Sequence, residues 1–247
     1  MSQWKTLMIR ELKYPDFRSR LTLSIILLWV SSLCALPARA QSGNVGCGSL
    51  ANAYGPYDFR TDLDKLPIVL SNHFTPEVEA LVSGKTGPLG ADIDYTLRAI
   101  PNEPRALIAM MRLGEKEKTP QPRGSRYPIE CWFDRAIRFR PDDVIVRMIY
   151  STYLNKQGRI ADANKELAIA TNYAKDNAFT HYNIGLHYFD LKNYDQALIE
   201  AHKAIALGFQ RTELRDKLKS VGKWVEPDNK AVGAASPAIG AASAPQR

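Results

Sequence analysis

Residues 150–174 read YSTYLNKQGRIADANKELAIATNYA, and residues 184–208 read IGLHYFDLKNYDQALIEAHKAIALG. The two align at an offset of 34 positions. Ser151 falls on Gly185, Leu154 on Tyr188, Ile160 on Tyr194, Ala163 on Ala197 and Ala170 on Ala204. Self-similarity at that period predicts a stack of helix pairs. Small residues sit where two antiparallel helices cross closely, and large ones fill the space to the next pair. The chain is therefore expected to be all-α.

This pattern resembles the tetratricopeptide repeat, which implies a helical solenoid. Two repeats are expected, over 144–177 and 178–211. One repeat earlier, Phe133, Ala136 and Pro141 in CWFDRAIRFRPDD take the aromatic, alanine and terminal-proline positions, and proline just past a helix blocks its continuation. Further upstream, DIDYTLRAIPNEPRALIAMMRL has the same look, and Thr75-Pro76-Glu77 reads as a helix start. The span 75–143 is thus expected to hold degenerate or interrupted repeats. Its interruption is GEKEKTPQPRGSRYP, residues 114–128, read as an inserted loop. Residues 212–225 suit a helix that closes the solenoid end. The tail 226–247 is rich in Ala, Ser, Gly and Pro and is expected to be disordered.

The N-terminus carries five Lys/Arg in residues 1–20, then the apolar run LTLSIILLWVSSLCAL, then Ala38-Arg39-Ala40. Basic region, short apolar core and A-x-A site predict a secretory signal peptide over 1–40, cleaved after Ala40. The competing reading is an uncleaved anchor, for which the run is short. The whole chain has a formal charge of +7; without residues 1–40 it has 27 bases against 24 acids, or +3. No basic cluster interleaved with aromatics remains, so nucleic acid is not an expected partner, and no stable membrane span is expected after cleavage. The protein is expected in the periplasm or outside the cell.

Cys34 leaves with the signal, and Cys47 and Cys131 remain as an even pair in an oxidising compartment. A disulfide is the favoured reading; a Cys47–His73 nucleophile is the alternative. CGSLANAYGPYDFRT (47–61), HFTPEVEALVSGKTGPLGADIDYTLRAIPNEPRAL (73–107) and ECWFDRAIRFRPDD (130–143) resemble the signature blocks of an uncharacterised family of exported proteobacterial tetratricopeptide proteins. The resemblance covers about residues 47–225 and implies a location and a fold but no reaction.

No G-x-S-x-G, P-loop, H-E-x-x-H or dinucleotide fingerprint is present. His73, His181, His187 and His202 form no pair at metal-ligand spacing, so neither a metal nor a cofactor is expected. His181 takes a position read as a core or interfacial histidine. Asp142-Asp143, after Pro141, reads as a helix cap. If Cys47 bonds Cys131, the segment 41–74 becomes a pinned loop, and Tyr54, Asp58 and Arg60 are expected near Asp134 and Arg135. That cluster, with His73 and Asp94, is either a polar staple that orders the loop or the site of a small-ligand binder or enzyme. The other candidate surface is a groove along helix 178–190, with Phe179, Tyr182, Leu186 and Phe189 facing a protein or peptide partner. The tail or the closing helix is the competing occupant. The expected function is a non-enzymatic protein–protein interaction scaffold or assembly factor of the cell envelope.

Overall fold

The 34-residue periodicity takes form as two helical hairpins in the computed structural model, which describes residues 46–227. Ten helices are present among the described residues: α1 Leu66–His73, α2 Pro76–Glu79, α3 Leu89–Ala99, α4 Pro104–Glu117, α5 Ile129–Phe139, α6 Val144–Lys156, α7 Ile160–Ala174, α8 Ala178–Asp190, α9 Tyr194–Ala206 and α10 Glu213–Ser220. The described part is all-helical, and no helix in it is long and apolar enough to cross a membrane. The expected signal peptide and nearly all of the expected tail lie outside the described residues.

Helices α6 and α7 form one hairpin and α8 and α9 the other. Helix α7 packs on α8, and the alternate helices α4, α6, α8 and α10 lie side by side. Four of the five aligned pairs are buried: Ser151 and Leu154 in α6 with Gly185 and Tyr188 in α8, and Ala163 and Ala170 in α7 with Ala197 and Ala204 in α9; of the fifth, Ile160 is exposed and Tyr194 half-buried. Alanines on α7 and α9 let these helices approach closely, and a side chain at Gly185 would run into Leu214 of α10. Helix α10 buries Leu214 and Leu218 against α8 and α9, closing that end.

Side-chain caps fix the starts of α4, α6 and α8. Asp143 accepts from Ile145 N and Val146 N, Asn177 from Thr180 N, and Glu103 from Arg105 N. Each satisfies amide donors that the first helical turn leaves orphaned. Thr75 precedes α2 as expected, but its side chain makes no cap bond and the helix is only four residues long.

The hairpins also share a buried polar clasp. Arg147 Nη1 lies 2.6 Å from Glu166 Oε2, and its Nε and Nη2 donate to Pro141 O at 2.9 and 2.7 Å. His181 Nδ1 lies 2.6 Å from Glu200 Oε2, and its Nε2 lies 2.6 Å from Lys175 O. A nitrogen side chain, a carboxylate and a turn carbonyl each recur 34 residues later. His181 is thus the repeat counterpart of an arginine, not only a packing residue. It joins α8, α9 and the α7–α8 turn, where Lys175 sits at φ 49°.

Two expected boundaries shift. The segment 41–74 is not loop throughout, because α1 forms within it. Leu66 and Val69 share one helix face and pack on Ala99 and Ile100 at the end of α3, with Tyr54, Tyr57 and Phe59 around them. The insertion expected from 114 begins only after α4 reaches Glu117, where Lys118 turns the chain at φ 53°. Helix α4 continues through Gly114 because a bare Cα is what fits against Ile129 and Thr119 O.

Candidate functional site

The loop 47–61 is held at both ends of α5. A Cys47–Cys131 disulfide fixes its start, and Arg135 Nη1 donates to Cys47 O at 2.9 Å and Ser49 O at 2.7 Å. Arg138 Nη2 adds a bond to Gly48 O at 3.1 Å. Arg135 is buried between the rings of Tyr127 and Trp132, 5.2 and 5.6 Å from their centroids. Burial pushes its guanidinium below the ordinary arginine value. The loop then crosses to α3, where Tyr57 N donates to Ala99 O at 2.9 Å. Gly55, at φ 91°, lies where any side chain would strike that same carbonyl group.

Beyond this crossing lies a knot centred on Asp58, which is 1% exposed. Asp58 Oδ1 accepts from Arg60 N, Arg60 Nε and Asn102 Nδ2 at 3.0, 3.1 and 2.7 Å, and Oδ2 from Arg60 Nη2 at 3.0 Å. Arg140 Nε lies 2.7 Å from Oδ2 but is aimed off the hydrogen-bond line, so this contact is an ion pair. Arg60 also reaches Asp142 at 3.1 Å. Asn102 bridges to Asp143 at 2.9 Å while accepting from Phe59 N at 3.0 Å. Burial works against the charge on Asp58, but Arg60 and Asn102 outweigh it and hold the carboxyl well below the usual range. As expected, Asp143 caps a helix; Asp142 instead serves the loop through Arg60.

The remaining expected residues go elsewhere. Tyr54 donates to Lys65 O at 3.0 Å and stands edge-on to Tyr57. His73 stacks on Tyr95 at 3.9 Å and meets Asp92 at 3.2 Å. Asp92 also accepts from Lys85 N, Thr86 N and Thr86 Oγ1, and so orders the turn before α3. Burial opposes its charge, and these bonds together with His73 bring it below the usual carboxylate range. Asp94 pairs with Arg98 at 2.8 Å and accepts from Arg126 N at 2.7 Å. Asp134 pairs with Arg138 at 2.8 Å. The structure brings Asp58 and Arg60 together, but joins them to Asn102, Arg140, Asp142 and Asp143, not to Asp134 and Arg135. Tyr54, Asp58, Arg60, His73 and Asp94 do not form one site. Each of these carboxylates is occupied by the chain's own donors, and no metal-holding group of three is present among the described residues.

On α8 the expected groove is narrower than its spacing implies. Phe179 is 58% exposed, edge-on to Phe209. Tyr182 is buried under the same Phe209 ring at 4.8 Å, with its hydroxyl 3.3 Å from Glu213. Leu186 is half-buried, and Phe189 packs on Tyr194 with Lys217 over its ring. The turn after α9 and helix α10 cross this face, so of the four only Phe179 stands open. Its counterpart one repeat earlier, Ile145, is 47% exposed, and Ile108 on α4 is 37% exposed. The same offset that relates the hairpins relates Ile145 to Phe179 and was the signal for it in the sequence. Asn102 and Arg140 carried no such signal. No family model, no curated protein and no solved structure matches the chain.

Proposed function

We propose that this chain is an exported helical-repeat protein of the tetratricopeptide type, related to the proteobacterial family its signature blocks resemble, and that it binds another protein in the cell envelope. The observation that carries the reading is the pair of exposed apolar residues at the same register of adjacent alternate helices, Ile145 and Phe179. Isolated exposed apolar residues are ordinary, but the same register position left apolar and exposed on neighbouring helices supports a contact surface. The repeated clasp and the alternate-helix packing support the repeat assignment. The Cys47–Cys131 bond supports an oxidising compartment. The alternative, a small-ligand binder or enzyme at Tyr54, Asp58, Arg60, His73 and Asp94, gains no support from groups that separate into several saturated networks.

The test is the pair Ile145→Ser and Phe179→Ser, both at exposed positions, with crosslinking in intact cells. Loss of a crosslinked partner from a protein with unchanged helicity and melting supports the proposal. An unchanged set of partners contradicts it.

A further inference from the structure

Arginines from three parts of the chain gather beneath the start of the loop 47–61. Arg98 of α3 donates through Nε to Asp94 at 2.8 Å and through Nη1 to Asn52 Oδ1 at 2.9 Å. Arg126, between α4 and α5, donates its backbone N to the same Asp94 at 2.7 Å, and its Nε stands 3.7 Å from that carboxylate. Arg135 and Arg138 of α5 hold the carbonyls of Cys47, Gly48 and Ser49. Burial holds Arg135 below the ordinary arginine value, and the like charges of Arg138 and Arg98 add to this against Tyr127 and Asp94. Only two carboxylates of the described residues answer these four cations: Asp94, 3% exposed, and Asp134, paired to Arg138 at 2.8 Å. Glu130, one turn before Asp134, is turned to Arg159 and Tyr150 instead. A surplus of two positive charges remains. The bonds to the loop do not cancel it, because carbonyl and amide oxygens carry no net charge.

We infer that this cluster binds a doubly charged oxyanion of the phosphate type, carried on a monoester or free in solution. A guanidinium donates and cannot accept, and its planar fork matches phosphate oxygens. Both carboxylates of the cluster already accept from arginine. Donors are left over on the arginines. Arg126, 62% exposed, donates no hydrogen bond from its guanidinium among the described residues. Arg138, 40% exposed, uses Nε and Nη2 and leaves Nη1. Arg98 leaves Nη2, and Arg135, 1% exposed, has a buried Nε without a partner. Helix ends do not offset the surplus. Arg98 and Arg138 reach back to residues one turn earlier, away from the carbonyl ends of α3 and α5, and a helix-end field falls off within a turn. The end of α5 beside Arg135 is the N-terminal one, next to Tyr127 and the Cys131 disulfide, and it favours an anion. A monoanion would leave one of the two charges unanswered; a dianion answers both.

The purified, oxidised protein, isotopically labelled, is titrated at low salt with sulfate, phosphate, glycerol phosphate and acetate, and the backbone amide shifts of Ser49, Arg126 and Arg138 are followed. Sulfate, a dianion throughout, is expected to bind equally at about pH 5.5 and about pH 8, whereas phosphate tightens several-fold over that range as its second proton leaves. Acetate is expected to bind at least about tenfold more weakly than sulfate. Arg126→Gln with Arg138→Gln removes the surplus at exposed positions and should weaken sulfate binding about tenfold. Lys165→Gln with Lys223→Gln makes the same change in charge at exposed positions outside the cluster and should leave it unchanged. Glycerol phosphate binding at least as tightly as phosphate assigns the site to a monoester, and tighter binding of phosphate assigns it to a free ion; either supports the inference. No saturable shift, acetate equal to sulfate, phosphate insensitive to pH, or equal affinity in the two double variants would each overturn it.

Discussion

Replacing Asp58 with Asn tests whether the loop chemistry is used up in holding the fold. The substitution keeps size and one acceptor but removes the charge that Arg60 and Arg140 both approach. Breaking a buried ion pair from one side costs about 3–5 kcal/mol. Here both arginines are partly exposed, 32% and 41% at the side chain, so solvent recovers part of that loss. The expected cost is about 2–3 kcal/mol, equivalent to a fall in melting temperature of roughly 4–12 °C for a domain of this size. Thermal and urea unfolding of the oxidised protein, followed by circular dichroism, measures it. The pH dependence has a fixed sign. The folded-state pKa of Asp58 lies below its unfolded value, so its contribution is present above the unfolded value and is lost as pH falls through the folded one. The gap between wild type and Asp58→Asn is therefore expected at neutral pH and should close in strong acid. Asp142→Asn, at a side chain 54% exposed, is the control and should cost under about 1 kcal/mol. Asp58→Asn with wild-type stability at neutral pH would refute the reasoning and reopen the loop as a ligand site.

Two further predictions follow from the fold. Cys47→Ser with Cys131→Ser opens a crosslink spanning 84 positions, and the chain-entropy account puts the loss near 4–5 kcal/mol; mass mapping without reductant should find the bond, and denaturant melts should find the loss. His181→Arg is expected to keep the clasp that Arg147 makes in the preceding hairpin, whereas His181→Ala leaves Glu200 with Lys203 alone and should cost about 2–4 kcal/mol. Equal melting temperatures for the two variants would show that the clasp contributes nothing.

The helix pairs were legible because their signal is local: small and large residues at fixed spacing, repeated after 34 positions. The disulfide was legible because the expected signal peptide takes Cys34 and leaves an even pair of cysteines. The partners of Asp58 were not, since Asn102 and Arg140 reach it from turns distant in sequence and no pattern in the loop names them. Arg147 and His181 occupy the same register, but a guanidinium and an imidazole look unrelated until both meet a glutamate and a turn carbonyl. The spacing of α8 correctly placed Tyr182 on the face of Phe179; what covers Tyr182 is the path of the chain after Gly208, which spacing does not encode. The insertion was visible as charged, proline-bearing sequence, whereas the arginine cluster it completes through Arg126 depends on how α3, α5 and the loop 47–61 meet.

The central claim is that the surface at Ile145 and Phe179 meets a protein partner. A photo-crosslinking amino acid placed at Phe179, and separately at Ile145, in cells making the intact protein tests it most directly. The same discrete adduct from both positions, absent when the probe sits at the exposed Lys192 beyond α8, is the predicted result. No adduct at either position, or the same adduct from Lys192, would contradict the account.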